Sequence, residues 1–183
     1  MGDLVPTSSA RKLLLEGRPG IGKTTVADRL AARLRDRGLP VSGFVTREIR
    51  EGRRRLGLSI ATLDGREGVL AHVEFPGPPR VGKYGVDLAV LDRIGVPALR
   101  APDGDGVVIV DELGKMELSL KSLRDAVNKI CDGPTSLVAT VQLARHPFTD
   151  ALRHRSEIET LRVTHQNRDH LPKRIAELLI GKD

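Results

Sequence analysis

Apolar residues along this chain fall into short runs that switch between two periodicities. Residues 12–16, Lys-Leu-Leu-Leu-Glu, form an unbroken apolar run that stops at Gly17, the pattern of a buried strand. Val26, Ala27, Leu30, Ala31 and Leu34 then recur at helical spacing, and Gly38 with Pro40 supplies the stop, so residues 24–37 predict a helix. Three β-type runs follow at 41–49, 56–63 and 69–75, separated by Glu51-Gly52 and Asp64-Gly65. They predict an antiparallel meander over about 41–75, attached to the main sheet, with Arg53, Arg54 and Arg55 solvated at a hairpin tip. The Pro- and Gly-rich segment 76–85 predicts no regular structure and makes a mobile or ligand-facing loop. Residues 86–94 fit a helix, or a short strand and a helix. After a turn at 103–106, Val107-Val108-Ile109-Val110 runs without alternation, as in a central strand covered on both faces. The rest alternates: an amphipathic helix at 118–130 closed by Gly133-Pro134, a strand at 136–141, a helix at 148–155, a strand at 160–164 and a helix at 171–180. Strands alternating with helices predict an α/β fold with a mostly parallel central sheet flanked by helices.

Composition narrows the function classes. The 183 residues suit a single domain, with residues 1–10 as a flexible tail. Hydrophobic residues at 39% argue against wholesale disorder. Cys131, the one cysteine, excludes an internal disulfide and a cysteine-built zinc site. No apolar run approaches a membrane span and the N-terminus lacks the pattern of a secretory leader, so a reducing cytoplasm is the expected location. A net charge of +6 and a pI near 9.9 favour polyanions, nucleotides or nucleic acid, without choosing between them. The scarcity of aromatics (Phe44, Phe75, Phe148 and Tyr84) argues against a base-stacking platform for single strands. The five histidines show no helical metal pair.

Candidate chemistry concentrates in two motifs. Residues 17–24, Gly-Arg-Pro-Gly-Ile-Gly-Lys-Thr, match G-x-x-x-x-G-K-[ST] between a predicted strand and a predicted helix. Glycines let backbone N–H groups turn inward around a phosphate, and the helix N-terminus adds partial positive charge. Gly17, Arg18, Pro19, Gly20, Ile21, Gly22, Lys23, Thr24 and Thr25 are the candidate phosphate-binding residues. Lys23 is expected to reach the β- and γ-phosphates and Thr24 to place its hydroxyl on Mg²⁺. The second motif, Val-Val-Ile-Val-Asp-Glu at 107–112, puts acids at the C-terminal end of a central strand, where α/β folds bind ligands. Asp111 is the candidate Mg²⁺ ligand. Glu112, one step further on, is placed to activate a water against the γ-phosphate, which favours hydrolysis over transfer to a bulky acceptor.

Gly-x-Pro-Gly-x-Gly-Lys-Thr-Thr at 17–25, Gly-Phe-Val-Thr-Arg-Glu-Ile-Arg at 43–50, Asp-Glu-Leu-Gly-Lys-Met-Glu-Leu at 111–118 and Asn-Arg-Asp at 167–169 occur in this order. With them the chain resembles the small P-loop nucleoside-triphosphatases of the thermophile-type, cancer-related nucleoside-triphosphatase family, over nearly its whole length. The resemblance implies a RecA-like P-loop fold and Mg²⁺-dependent hydrolysis of several nucleoside triphosphates to diphosphates. It places Lys23, Thr24, Asp111 and Glu112 on the family's nucleotide and metal positions and Lys115 on a typical position, where it either touches phosphate or pairs with Glu117. The family often has Thr-Ile-Pro after the next strand; here Thr140-Val141-Gln142 stands there. Thr140 keeps a polar group beside the γ-phosphate, while Gln142 replaces the proline and leaves the path of the next loop open.

Several positions stay open between chemistry and packing. Arg47 and Arg145 are candidate arginine fingers or surface residues. Arg168 stacks on a base and Asn167 bonds its edge, or both belong to a turn in which Asp169 caps the last helix. Tyr84 covers the nucleotide or packs in the core. Two rival functions accompany triphosphate hydrolysis: a nucleoside or nucleotide kinase, and a nucleotide-gated module that binds nucleic acid.

Overall fold

The computed structural model describes residues 10–181, so the tail expected over 1–10 falls, apart from Ala10, outside the described residues. In chain order the elements are β1 (Lys12–Gly17), α1 (Lys23–Asp36), β2 (Val41–Glu51), β3 (Arg54–Thr62), β4 (Glu67–His72), β5 (Arg80–Val81) and β6 (Tyr84–Val86). A helical segment follows, made of α2 (Leu88–Val90), a π-helical stretch (Leu91–Gly95) and α3 (Val96–Ala98). Then come β7 (Val107–Leu113), a 3-10 turn (Glu117–Ser119), α4 (Lys121–Asp132), β8 (Ser136–Gln142), α5 (Pro147–Arg153), β9 (Ile158–Arg162) and α6 (Leu171–Ile180).

The strands form one sheet in the order β5-β6-β4-β3-β2-β7-β8-β1-β9. β2, β7, β8, β1 and β9 pair in parallel. The unbroken apolar runs are explained by burial on both sides. Leu13, Leu15, Val107, Ile109 and Val138 pack under α1 and α6. Leu14, Val108, Val110, Leu137 and Ala139, the residues in between, belong to the core on the other face with Leu123, Val127 and Ile130 of α4. β1 is anchored by a buried cation: Lys12 Nζ donates to the carbonyls of Ile130 (2.7 Å), Gly133 (3.0 Å) and Thr135, where the chain leaves α4. Burial lowers the pKa of this ammonium.

The meander differs from its expected form in two ways. β2 is antiparallel to β3 but parallel to β7, so its first half belongs to the central sheet and its second half to the extension. The extension also runs past residue 75. β5 and β6 pair antiparallel through Arg80↔Gly85 and Val81↔Tyr84, around a Gly82-Lys83 turn with Gly82 at φ 59°. Segment 76–85 therefore holds a short hairpin where no regular structure is expected; strands this short carry no periodicity to read. Arg54 and Arg55 lie in β3, and Arg55 has a side-chain exposure of only 35%, so the arginine run is not simply a solvated tip.

The junction of the two sheet halves depends on Gly43. It pairs with Ile109 at φ 112°, and a Cβ there would lie 1.8 Å from the Ile109 carbonyl oxygen, a backbone atom that cannot turn aside. Gly43→Ala is expected to cost about 3 kcal/mol or more, through strain and forced separation of β2 from β7. Urea unfolding checks this; an unchanged midpoint would show that the two strands can part without penalty.

Candidate nucleotide site

The C-terminal ends of β1, β7 and β8 meet at one edge of the parallel sheet, the place where open α/β sheets bind ligands. β1 ends at Gly17, and the loop through Arg18, Pro19, Gly20 and Ile21 turns into α1. The turn is closed by Ile21 N–H donating to the Arg18 carbonyl at 3.2 Å. Gly22 precedes the helix at φ 108°, with no side-chain cap, so the first N–H groups of α1 have no side-chain acceptor. Lys23, the first residue of α1, is 6% exposed; its Nζ donates to the Gly17 carbonyl at 3.1 Å and pairs with Glu112 Oε2 at 3.2 Å.

Asp111 is fully buried on β7. Thr140 Oγ1 donates to its Oδ1 at 2.5 Å, while its Oδ2 is buried with no hydrogen-bond partner. Burial raises the pKa of this carboxyl, and the hydroxyls of Thr140 and Thr24 pull it back down. The pairing of β7 with β8 breaks register between Val110 and Leu113; there Glu112 reaches Lys23, and the Asp111 carboxyl lies beside Thr140 and Thr24. Glu112 is gripped at both oxygens: Oε2 by Lys23, and Oε1 by Gln142 Nε2 at 2.5 Å.

A cleft of about 830 Å³ opens beside Lys23, Thr24, Glu112 and Gln142. Pro19, Gly20, Gly22, Lys23, Thr24 and Thr25 line one wall, and Glu112, Gly114, Glu117 and Gln142 line it as well. Thr46, Arg47, Glu48, Arg50, Arg55, Val81, Gly82 and Tyr84, from β2, β3 and the β5–β6 hairpin, also line it. Arg55 and Lys83 each place their charge 5.3 Å from the Tyr84 ring centroid. Tyr84 thus reaches the cleft while also packing on the core. The structure brings Arg47 to the cleft but not Arg145, which is 87% exposed and paired with Asp150 at 3.1 Å outside the main cleft. Lys115 is exposed on the cleft and makes no ion pair with Glu117 among the described residues.

On the other side of the phosphate loop lies a groove of about 240 Å³, lined by Gly22, Thr25, Val26, Arg29, Arg168 and Asp169. Arg168 Nη1 donates to the Ile21 carbonyl at 3.2 Å, which ties the last loop to the phosphate loop. The Asn167 amide is engaged at both ends within its own turn: Oδ1 accepts from Thr164 N–H and Nδ2 donates to the Arg162 carbonyl, each at 2.8 Å. Asp169 does not cap α6. The cap position is His170, without a side-chain bond, and Asp169 pairs with Arg29 at 3.1 Å.

Two groups here have partners or burial that the sequence does not reveal. Gln142 meets Glu112 only across the sheet. Glu117 is 4% exposed and accepts a hydrogen bond from Gly114 N–H at 3.2 Å. Burial, with smaller contributions from Glu112 and Asp111, pushes its pKa up to about 7. The folded protein therefore holds this proton more tightly than the unfolded chain, whose carboxyl titrates near 4.5. The stability associated with protonated Glu117 is complete below pH 4.5 and is lost as pH rises towards 7. Glu117→Gln, which keeps the shape and cannot ionise, is expected to raise Tm relative to the parent at pH 8 and to do so much less at pH 5. The same increment at both pH values would contradict this.

A buried ammonium at a helix N-terminus and a buried carboxylate with a bare oxygen are satisfied together by an anion that carries a cation, as a metal-bound triphosphate does. The fold and these two groups define a P-loop NTPase fold. Comparison with known proteins agrees: the family model described as NTPase matches residues 12–176, and the chain belongs to that family. It is 42% identical to the nucleoside-triphosphatase THEP1 of Thermotoga maritima over 92% of this chain and 95% of that protein. It is 36% identical to the human cancer-related nucleoside-triphosphatase over 88% and 93% of the two chains. The crystal structure of THEP1 from Aquifex aeolicus superposes with a TM-score of 0.83 at 33% identity, covering 93% of this chain and 99% of that one. Among the described residues, no helix is long and apolar enough to cross a membrane.

Proposed function

We propose that the protein hydrolyses nucleoside 5'-triphosphates to diphosphate and inorganic phosphate, with Mg²⁺, by attack of water on the γ-phosphorus. The observation that carries this reading is Glu112, a carboxylate one residue beyond the buried Asp111 and in contact with the phosphate-loop lysine. The relatives' names, all nucleoside-triphosphatases, support the same reaction class and favour neither a kinase nor a nucleic-acid-binding module.

The residues fit Mg²⁺. The donors are oxygens, Asp111 Oδ2 lacks any other partner, and the Thr24 hydroxyl acts on the same carboxyl. Thr24 and Asp111 would hold the ion, and when bound it supplies charge neutralisation at the phosphate oxygens.

The chain's own residues do the rest. The loop from Gly17 to Gly22 and the start of α1 receive the phosphates through backbone N–H groups. Lys23 moves its charge from Glu112 to the β- and γ-phosphates. Glu112, released from that pair, orients the attacking water and takes its proton. Thr140 fixes one oxygen of Asp111 and so orients the other. Arg47 supplies a cation from β2. The base lies in the groove beside Arg168, whose guanidinium stacks on it, and Asn167 shapes the turn that presents Arg168. The one cysteine, which is buried, suits a cytoplasmic location.

The test is product analysis with Mg²⁺ and ATP, GTP, CTP or UTP, with and without a nucleoside mixture. Diphosphate and free phosphate from several triphosphates, indifferent to nucleosides, is the expected result. Nucleoside monophosphates formed only with acceptor would make the protein a kinase.

A further inference from the structure

We infer that Gln142 is a positioning residue: its side-chain amide holds the Glu112 carboxylate in the orientation that activates water. The inference rests on Glu112 as the water-activating group.

Gln142 is built to stay in place. It ends β8, level with Gly17 at the end of β1, and so stands between the phosphate loop and the carboxylate pair. Its carbonyl accepts from Arg153 Nη2 at 2.8 Å, and Arg153 is itself held by Asp150 at 2.9 Å and Glu16 at 3.5 Å. From this fixed backbone, Nε2 donates to Glu112 Oε1 at 2.5 Å. The pair lies close to Gly114, where a Cβ would come within 2.8 Å of Glu117 Oε2, 3.3 Å of Glu112 Oε1 and 3.8 Å of Gln142 Nε2.

The two groups gripping Glu112 differ in kind. Lys23 is a cation whose ammonium occupies Glu112 Oε2 at 3.2 Å. It is also the group that the triphosphate draws away. Once Lys23 turns to the phosphates, Gln142 is the one side-chain donor left on Glu112 among the described residues. A neutral amide orients the carboxylate while leaving its negative charge, as a general base requires. Misplacing a catalytic group by about 1 Å can cost on the order of 100-fold in rate.

The test compares Gln142→Met, nearly isosteric without a donor, and Gln142→Glu, isosteric with a second acceptor, each alone and with Glu112→Gln. Folding is verified by thermal melting. The expected result is a fall in kcat of about 10-fold or more for Gln142→Met, a larger fall for Gln142→Glu, and KM and nucleotide binding near parental values for both. In the Glu112→Gln background, Gln142→Met is expected to have no further effect, because it acts through the carboxylate already removed. Parental kcat in Gln142→Met, or a loss that multiplies in full with Glu112→Gln, would overturn the inference and leave Glu112 as the base. Unchanged hydrolysis in Glu112→Gln alone would instead remove the reading beneath it.

Discussion

Glu112→Gln is expected to lower kcat by roughly 10²- to 10⁴-fold, the range ascribed to a positioned general base, while nucleotide binding is retained or tightened. The second half of that expectation comes from the ion pair. Glu112 holds the Lys23 ammonium at 3.2 Å, and this contact competes with phosphate for the same charge. Glutamine keeps the size and the partnership with the site but gives up the negative charge, so Lys23 goes to phosphate without opposition. Loss of turnover together with loss of binding would make Glu112 a structural prop for the loop. Unchanged turnover would remove it from the chemistry.

Lys23→Ala is expected to abolish both properties. The ammonium donates to the Gly17 carbonyl at 3.1 Å, and Lys23 is buried. Nothing else in the loop carries a buried charge to replace it. Removing one preorganised donor to developing transition-state charge costs about 10²- to 10³-fold, and here the same donor also neutralises the bound triphosphate. Equilibrium binding of a fluorescent triphosphate analogue and initial-rate hydrolysis check the two effects separately. A variant that binds as the parent does and loses less than about 10-fold in rate would contradict the assigned role.

The parts of the fold readable from sequence were those fixed by contiguous residues. The buried strands at Lys12–Gly17 and Val107–Leu113 declared themselves through unbroken apolar runs, because each is covered by helices on both faces. The motif at 17–24 and the acids at the end of β7 are legible as motifs for the same reason, being consecutive in the chain. What escaped was set by distant partners. The parallel pairing of β2 with β7 joins Val41 to Val107 and gives no signal in either segment. The β5–β6 hairpin hides in a Pro- and Gly-rich stretch, since two or three paired residues show no period. Glu117 looks like an ordinary surface acid until the 3-10 turn buries it behind Gly114. Gln142 was visible as a departure from a family pattern, but its consequence, a hydrogen bond to Glu112 thirty residues away, is a product of strand register.

Hydrolysis in ¹⁸O-labelled water, with Mg²⁺ and ATP, addresses the central claim directly, because it locates the bond that water makes. Attack on the γ-phosphorus places the label in inorganic phosphate and leaves the diphosphate unlabelled, and Lys23→Ala carried through the same assay should release no labelled phosphate. Label in the diphosphate, or phosphate released without label, would contradict water attack on the γ-phosphate and with it the role given to Glu112.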